Sequence, residues 1–113
     1  MFVYGTLRSE FDNVYAKVLR DQAERLGRAT VMGSIFRVAH YPGYRPEPPG
    51  QVTGELFRLS DPARTLAVLD DWEAPDFERV LTTVSTGESV WIYEFRPDPP
   101  EGSRIASGDF CAP

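Results

Sequence analysis

The sequence predicts a single α+β domain, on three observations. Apolar residues recur at three- and four-residue spacing early in the chain, from Phe11 through Val14, Tyr15, Val18 and Leu19 to Leu26. A second helical stretch follows Ser60 and runs through Leu66 and Leu69 toward Trp72. Around these lie short runs of strand character, the clearest being two alternating stretches over 79–86 and 89–95. A chain of 113 residues has room for one ordinary core, so 1–113 is taken as one domain.

Phe2, Val3 and Tyr4 form a short aromatic and β-branched run that suits a buried strand, and it breaks at Gly5. Successive backbone N–H groups in such a turn often face one concavity and bind an anion. The plainer alternative is a strand that needs a glycine to turn. The first helix is expected from Asp12 to Leu26, stopped by Gly27, with Phe11, Val14 and Val18 on its sheet-facing side. The run from Arg28 to Ala39 reads as one long strand bent or bulged at Gly33. The stretch from His40 to Gly50 holds four prolines and two glycines and reads as an ordered loop whose tyrosines line a pocket. His40 has no Cys or His partner at metal spacing and reads as a structural or surface residue.

Gln51 to Leu59 reads as a strand, and Gly54 within it suggests close approach of another backbone or a ligand. Ser60 is the expected N-cap of the second helix, with Asp61 and Pro62 in its first turn. Pro75 turns Ala74 away from helical angles, so this helix ends near Glu73. Arg79 to Thr86 and Ser89 to Phe95 read as antiparallel strands joined near Gly87. On the second, Trp91, Tyr93 and Phe95 share one face and Val90 and Ile92 the other, as expected of a strand buried on both sides. The tail from Ile105 to Phe110 either adds a short edge strand or covers one end of the domain.

Charge and composition exclude several function classes. The hydrophobic share of 42% is that of a globular protein rather than a disordered one. The formal net charge is −5, Lys17 is the only lysine, and no arginine block stands out, so nucleic-acid binding is not expected. No apolar run approaches the roughly 20 residues that a membrane span needs, and the N-terminus has no signal-peptide pattern. Cys111 is the only cysteine, which fits a reducing compartment and a cytoplasmic location. A monomer is the default expectation, and the natural start of the chain is open to being longer.

The run Leu69-Asp70-Asp71-Trp72-Glu73 is unusually acidic for a helix end. A carboxylate there faces the negative end of the helix dipole, and Asp70, Asp71, Asp76 and Glu78 add like charge. Both effects raise a carboxyl pKa and poise it as a general base. A solvated acidic loop with no role is the alternative.

Five motifs then come in one order: Tyr4-Gly5-Thr6-Leu7, Tyr41-Pro42-Gly43, Val52-Thr53-Gly54-Glu55-Leu56-Phe57, Leu69-Asp70-Asp71-Trp72-Glu73 followed by Phe77-Glu78-Arg79, and Trp91-Ile92-Tyr93. In that order, over almost the whole chain, the sequence resembles gamma-glutamylcyclotransferase-like (AIG2-like) proteins. The ending Ser107-Gly108-Asp109-Phe110 looks like that of small bacterial members. The resemblance implies a small mixed β-barrel-like sheet flanked by a few helices, with a pocket at one end. It implies release of 5-oxoproline from a γ-glutamyl amine, amino acid or peptide, with no enzyme nucleophile, no metal and no cofactor. It implies Glu73 as the catalytic acid/base and Tyr4, Gly5, Thr6 and Leu7 as the substrate-binding loop, with Arg8 as a minor source of charge and Tyr93 as a pocket tyrosine. Phe77 departs from the pattern, standing where a tyrosine is common, which bears on substrate choice. The alternative function is a non-catalytic small-molecule-binding domain of the same fold.

Overall fold

The computed structural model describes residues 1–8, 13–47, 50–73 and 75–112. In chain order they form β1 (Phe2–Val3), α1 (Val14–Gln22), β2 (Ala23–Met32), β3 (Ser34–Arg37), β4 (Pro42–Arg45), β5 (Gln51–Leu59), α2 (Pro62–Glu73), β6 (Phe77–Thr83) and β7 (Ser89–Phe95). The fold is α+β, as expected. Its strands make two sheets, ordered β1-β5-β2 and β3-β4-β7-β6, which among the described residues do not close into a barrel. An isolated bridge between Val31 and Val84 ties one sheet to the other. Among the described residues, no helix is long and apolar enough to cross a membrane.

β5 is central to the first sheet because both of its edges are used. β1 pairs with it antiparallel, Phe2 opposite Leu56 and Val3 opposite Glu55, and β2 pairs along its other side from Ala23 to Met32. Gly54 is where β1 comes close: an added Cβ would collide with the Val3 carbonyl oxygen. The close backbone approach read from Gly54 is therefore that of β1. In the second sheet β7 is central, antiparallel to β6 and parallel to β4. Its two faces serve two cores, Ile92 packing with Phe2, Val31, Ile35 and Val52, and Tyr93 packing with Val3, Leu7, Leu19 and Leu69.

Several sequence expectations need correction. The first helix stops at Gln22 and the chain is already extended at Ala23, so Leu26 and Gly27 lie in β2 rather than at a helix end. The expected start of that helix, at Phe11 and Asp12, falls outside the described residues. Its buried residues are Ala16 and Leu19, with Tyr15 packed against the second core, whereas Val14 is 70% exposed. The three- and four-residue spacing runs across a helix–strand junction, so Leu26 belongs to no helical stripe. The long strand over 28–39 is two strands broken at Gly33. The Pro-rich loop contains β4, whose carbonyls and amides pair with β3 through Ser34–Arg45 to Arg37–Pro42. A proline is tolerated at the first position of a strand, where Pro42 stands.

Asp61, not Ser60, caps α2: its side chain accepts from Arg64 N–H and its carbonyl from Thr65 N–H, which leaves Pro62 at the first helical position. The expected end near Glu73 agrees with the structure. The tail from Ile105 to Phe110 makes no strand of its own. It buries Ile105 and Phe110 in the first core and bonds to Ile35 and Thr53 of the sheets.

Candidate active site

A cavity of about 250 Å³ opens where β1, the turn after it, the start of β4, the end of α2 and β7 converge. Its walls include Tyr4, Gly5, Thr6 and Leu7, then Tyr41 and Pro42, then Trp72, Glu73 and Phe77, and finally Tyr93. Segments almost seventy positions apart in sequence thus face one space. The order of burial explains why: β1 is pinned to β5, α2 packs its Leu66 and Leu69 into the core beside Val3, and the last turn of α2 is left at the rim.

The turn is built to hold a fixed shape. It closes through Arg8 N–H donating to the Gly5 carbonyl at 3.0 Å. The Thr6 carbonyl accepts from Asn13 Nδ2 at 2.7 Å, and the same Asn13 caps α1 by accepting from Ala16 N–H at 2.8 Å. In a trans peptide the N–H and C=O point opposite ways. With the Gly5 carbonyl turned to Arg8 N–H and the Thr6 carbonyl to Asn13, the N–H of Thr6 points away from the first donor and that of Leu7 away from the second. Gly5 is required by space: an added Cβ would meet the Pro42 ring at 2.8 Å. Asn13 carries a helix cap and a loop brace together, and a helix predicted to begin a residue earlier hid it.

Glu73 is half-buried at the end of α2. Burial pushes its carboxyl up from 4.5 to about 7. The upward direction is the one the acidic run suggested, but the cause is lost solvation rather than crowding by like charges. Asp71, Asp76 and Glu78 are exposed to water. Asp70 is an ion-paired carboxylate: its Oδ1 and Oδ2 accept from Arg79 Nε and Nη2 at 2.9 and 3.1 Å. Oδ1 also accepts from the Tyr93 hydroxyl at 2.7 Å. Desolvation pushes Asp70 up, but the bonds from Arg79 and Tyr93 outweigh it and hold the carboxyl below its usual range. The Arg79 guanidinium in turn lies over the Trp91 ring, 4.3 Å from its centre. Sequence inspection missed this cluster because it paired Asp70 with its neighbours along the helix, not with β6 and β7 across it.

Tyr4 is buried. Its hydroxyl donates to the Tyr93 carbonyl at 2.7 Å and accepts from Tyr44 N–H at 3.0 Å. Burial, followed by the nearby Glu73 charge, holds that hydroxyl well above the usual tyrosine range. Tyr93 is raised for the same first reason, with the Asp70 bond and the Glu73 charge adding to it. The Glu73 carboxyl is therefore within electrostatic reach of both tyrosines. Phe77 lies between Tyr41 and Phe95, with ring centres 5.9 and 5.3 Å away. His40, expected to be structural or at the surface, is exposed at the rim, with its ring edge-on to Tyr41. Arg8, the expected minor source of charge, is absent from the cavity wall. It is fully buried and paired with Asp109 at 2.7 Å. Among the described residues no three His, Cys, Asp or Glu side chains gather as a metal site.

The chain as a whole is similar to known proteins. The family described as gamma-glutamyl cyclotransferase, AIG2-like, matches residues 1–112. Among curated proteins none matches the chain. The protein YtfP of Escherichia coli is 32% identical, with a TM-score of 0.72 over 99% of this chain and 96% of that one. An AIG2-like protein from Mus musculus is 26% identical, with a TM-score of 0.66 over 90% of this chain and 78% of that one. The uncharacterized protein PH0828 from Pyrococcus horikoshii, 23% identical, shares the fold with a TM-score of 0.78 over 97% of this chain and 87% of that one. The ordered motifs, the two-sheet α+β architecture and a match running from the first residue almost to the last agree: this chain belongs to the gamma-glutamyl cyclotransferase, AIG2-like family.

Proposed function

We propose that this protein is a gamma-glutamyl cyclotransferase that releases 5-oxoproline from a γ-glutamyl amine, amino acid or peptide. The observation that carries the reading is the Glu73 carboxyl, lifted to about 7, on the same cavity as the Tyr4–Leu7 turn. A carboxylate with that pKa takes and returns a proton near neutral pH with little free-energy penalty either way. A γ-glutamyl compound carries its own nucleophile, and the protein's task is to hold and deprotonate it.

The steps follow from that. Glu73 takes one proton from the substrate's α-ammonium. The freed nitrogen attacks the γ-carbonyl carbon, a C–N bond forms, and the carbonyl electron pair moves to oxygen. Backbone N–H groups of the turn hold the substrate's anionic oxygens, and donors fixed in place stabilise the developing charge without reorganising. The oxyanion then collapses, the bond to the leaving nitrogen breaks, and Glu73 returns its proton there. The extra proton on the ring nitrogen passes to the same amine, which leaves as an ammonium ion beside 5-oxoproline. The substrate is thus a small molecule, with no nucleic acid or membrane partner.

The test is 5-oxoproline release from a panel of γ-glutamyl amines, amino acids and peptides. Glu73→Gln is expected to lower kcat/KM at least about a hundredfold, the low end for a general acid/base. Turnover by that variant at the wild-type rate overturns the assignment of Glu73. Measurable binding of panel members with no turnover of any favours the non-catalytic binding domain instead.

A further inference from the structure

We propose that Asp70 and Arg79 are positioning residues that fix the Tyr93 hydroxyl as a hydrogen-bond acceptor for the α-ammonium group of the ligand, an inference that rests on the reading of the cavity given above. A phenol hydroxyl has one proton to donate and lone pairs to accept with. The proton of Tyr93 is committed to Asp70 Oδ1 at 2.7 Å. Asp70 is ionised, so it has no proton to give back. Its carboxylate is held by both arms of the Arg79 fork, and Arg79 is itself laid over Trp91. The three members come from α2, β6 and β7, so the hydroxyl's direction is set by three elements rather than by one rotamer.

What remains to the Tyr93 oxygen is acceptor capacity. Tyr93 lines the cavity, and the Glu73 charge reaches its hydroxyl. Hydrogen bonding to an anion also polarises the O–H bond and makes the oxygen a stronger acceptor. A ligand presenting N–H donors fits such an oxygen, and one presenting an anionic oxygen does not. The α-ammonium of a γ-glutamyl group has three donors: one proton goes to Glu73 and a second meets Tyr93. The bond to Tyr93 orients the nitrogen before and after it is deprotonated. Tyr4 does not compete for this role, since its hydroxyl already donates to the Tyr93 carbonyl and accepts from Tyr44 N–H.

The experiment is calorimetric titration of Glu73→Gln protein with two ligands. One is a γ-glutamyl alkylamine, and the other is the matching glutaric acid monoamide, which lacks the α-ammonium. The quantity read is the ratio of the two affinities. Adding Tyr93→Phe is expected to lower that ratio about tenfold, the lower range for a hydrogen bond to a charged group. Asp70→Asn is expected to lower it by a similar factor, because a neutral amide with one acceptor oxygen cannot hold both arms of the Arg79 fork or polarise the Tyr93 hydroxyl as the carboxylate does. The two changes together are expected to lower it no further, while affinity for the monoamide stays within about twofold throughout. Arg79→Lys keeps the charge and loses the fork, and is expected to lower the ratio as well.

Asp70→Asn weakening both ligands equally, or adding its full effect on top of Tyr93→Phe, overturns the proposal. If Asp70→Asn does not fold, Arg79→Lys decides, and an unchanged ratio overturns it. Failure of wild-type protein to bind or turn over any γ-glutamyl compound overturns the reading of the cavity and this inference together. Binding with an unchanged ratio in Tyr93→Phe overturns this inference alone.

Discussion

A glutamate in water ionises near 4.5, and Glu73 does so only near 7 because the cavity wall strips its carboxylate of solvent. That shift has a sign for stability. An acid whose folded pKa lies above its unfolded value holds its proton more tightly when folded. Its contribution is complete below about pH 4 and is lost as pH rises through about 7. At roughly 1.4 kcal/mol per unit, ionised Glu73 costs the fold up to about 3 kcal/mol. Glu73→Gln, neutral at every pH, is therefore expected to melt higher than wild type at pH 8, by roughly 4 °C per kcal/mol, and to lose that advantage below about pH 4. Coincident melting curves at pH 8 would mean that the ionised carboxylate is well solvated. The same pKa sets an acid limb in kcat/KM near 7, with activity falling about tenfold per unit below it. A residue that destabilises its own fold when charged fits a functional position better than a structural one.

At the scale of elements, local chemistry was legible and long-range partners were not. Pro75 marked the end of α2, and the two-faced pattern of Val90 to Phe95 marked β7 as central. Both signals are carried within a few residues. The extent of α1 was misread because Leu26 happened to continue a helical spacing into β2, where pairing with β5 overrides it. β4 was hidden by the prolines in and after it, yet Pro42 is the residue that makes Gly5 necessary. The turn and β4 are therefore one unit, although they lie far apart in the chain. Gly5→Ala is expected to force the Pro42 ring outward or the turn inward, at a cost of about 1–3 kcal/mol. The loss should appear in thermal melts and, because the turn forms the cavity wall, as weaker binding of γ-glutamyl ligands. A variant with wild-type melting and wild-type affinity would show that the two segments separate freely.

Over the whole molecule, the order of motifs indicated the fold, but not how its strands divide into two sheets. That division depends on which edges pair, and no local pattern encodes it. Nor did the sequence reveal what the tail does. Arg8 ends the turn and has no exposed surface, and its guanidinium donates to Asp109 at 2.7 Å, 101 positions away. The same tail threads Gly108 against β5, where its carbonyl accepts from Thr53 N–H. The chain's two ends thus lock the turn that forms the cavity wall. Desolvation pushes the Asp109 carboxyl up, but the bonds from Arg8 and from Cys111 N–H outweigh it and leave it depressed. A depressed acid stabilises the fold above its unfolded pKa and ceases to do so as pH falls through the folded one. Asp109→Asn keeps the shape and removes the charge. Breaking a buried pair costs about 3–5 kcal/mol in general; Arg8 has further contacts, so about 2 kcal/mol is expected here. Wild type should then melt roughly 8 °C above the variant at pH 7, and the gap should close as pH falls through the depressed folded pKa, below which Asp109 is protonated in both states. A gap that persists undiminished in acid would mean that the tail is held by its apolar residues, Ile105 and Phe110, and that the ion pair is incidental to the lock.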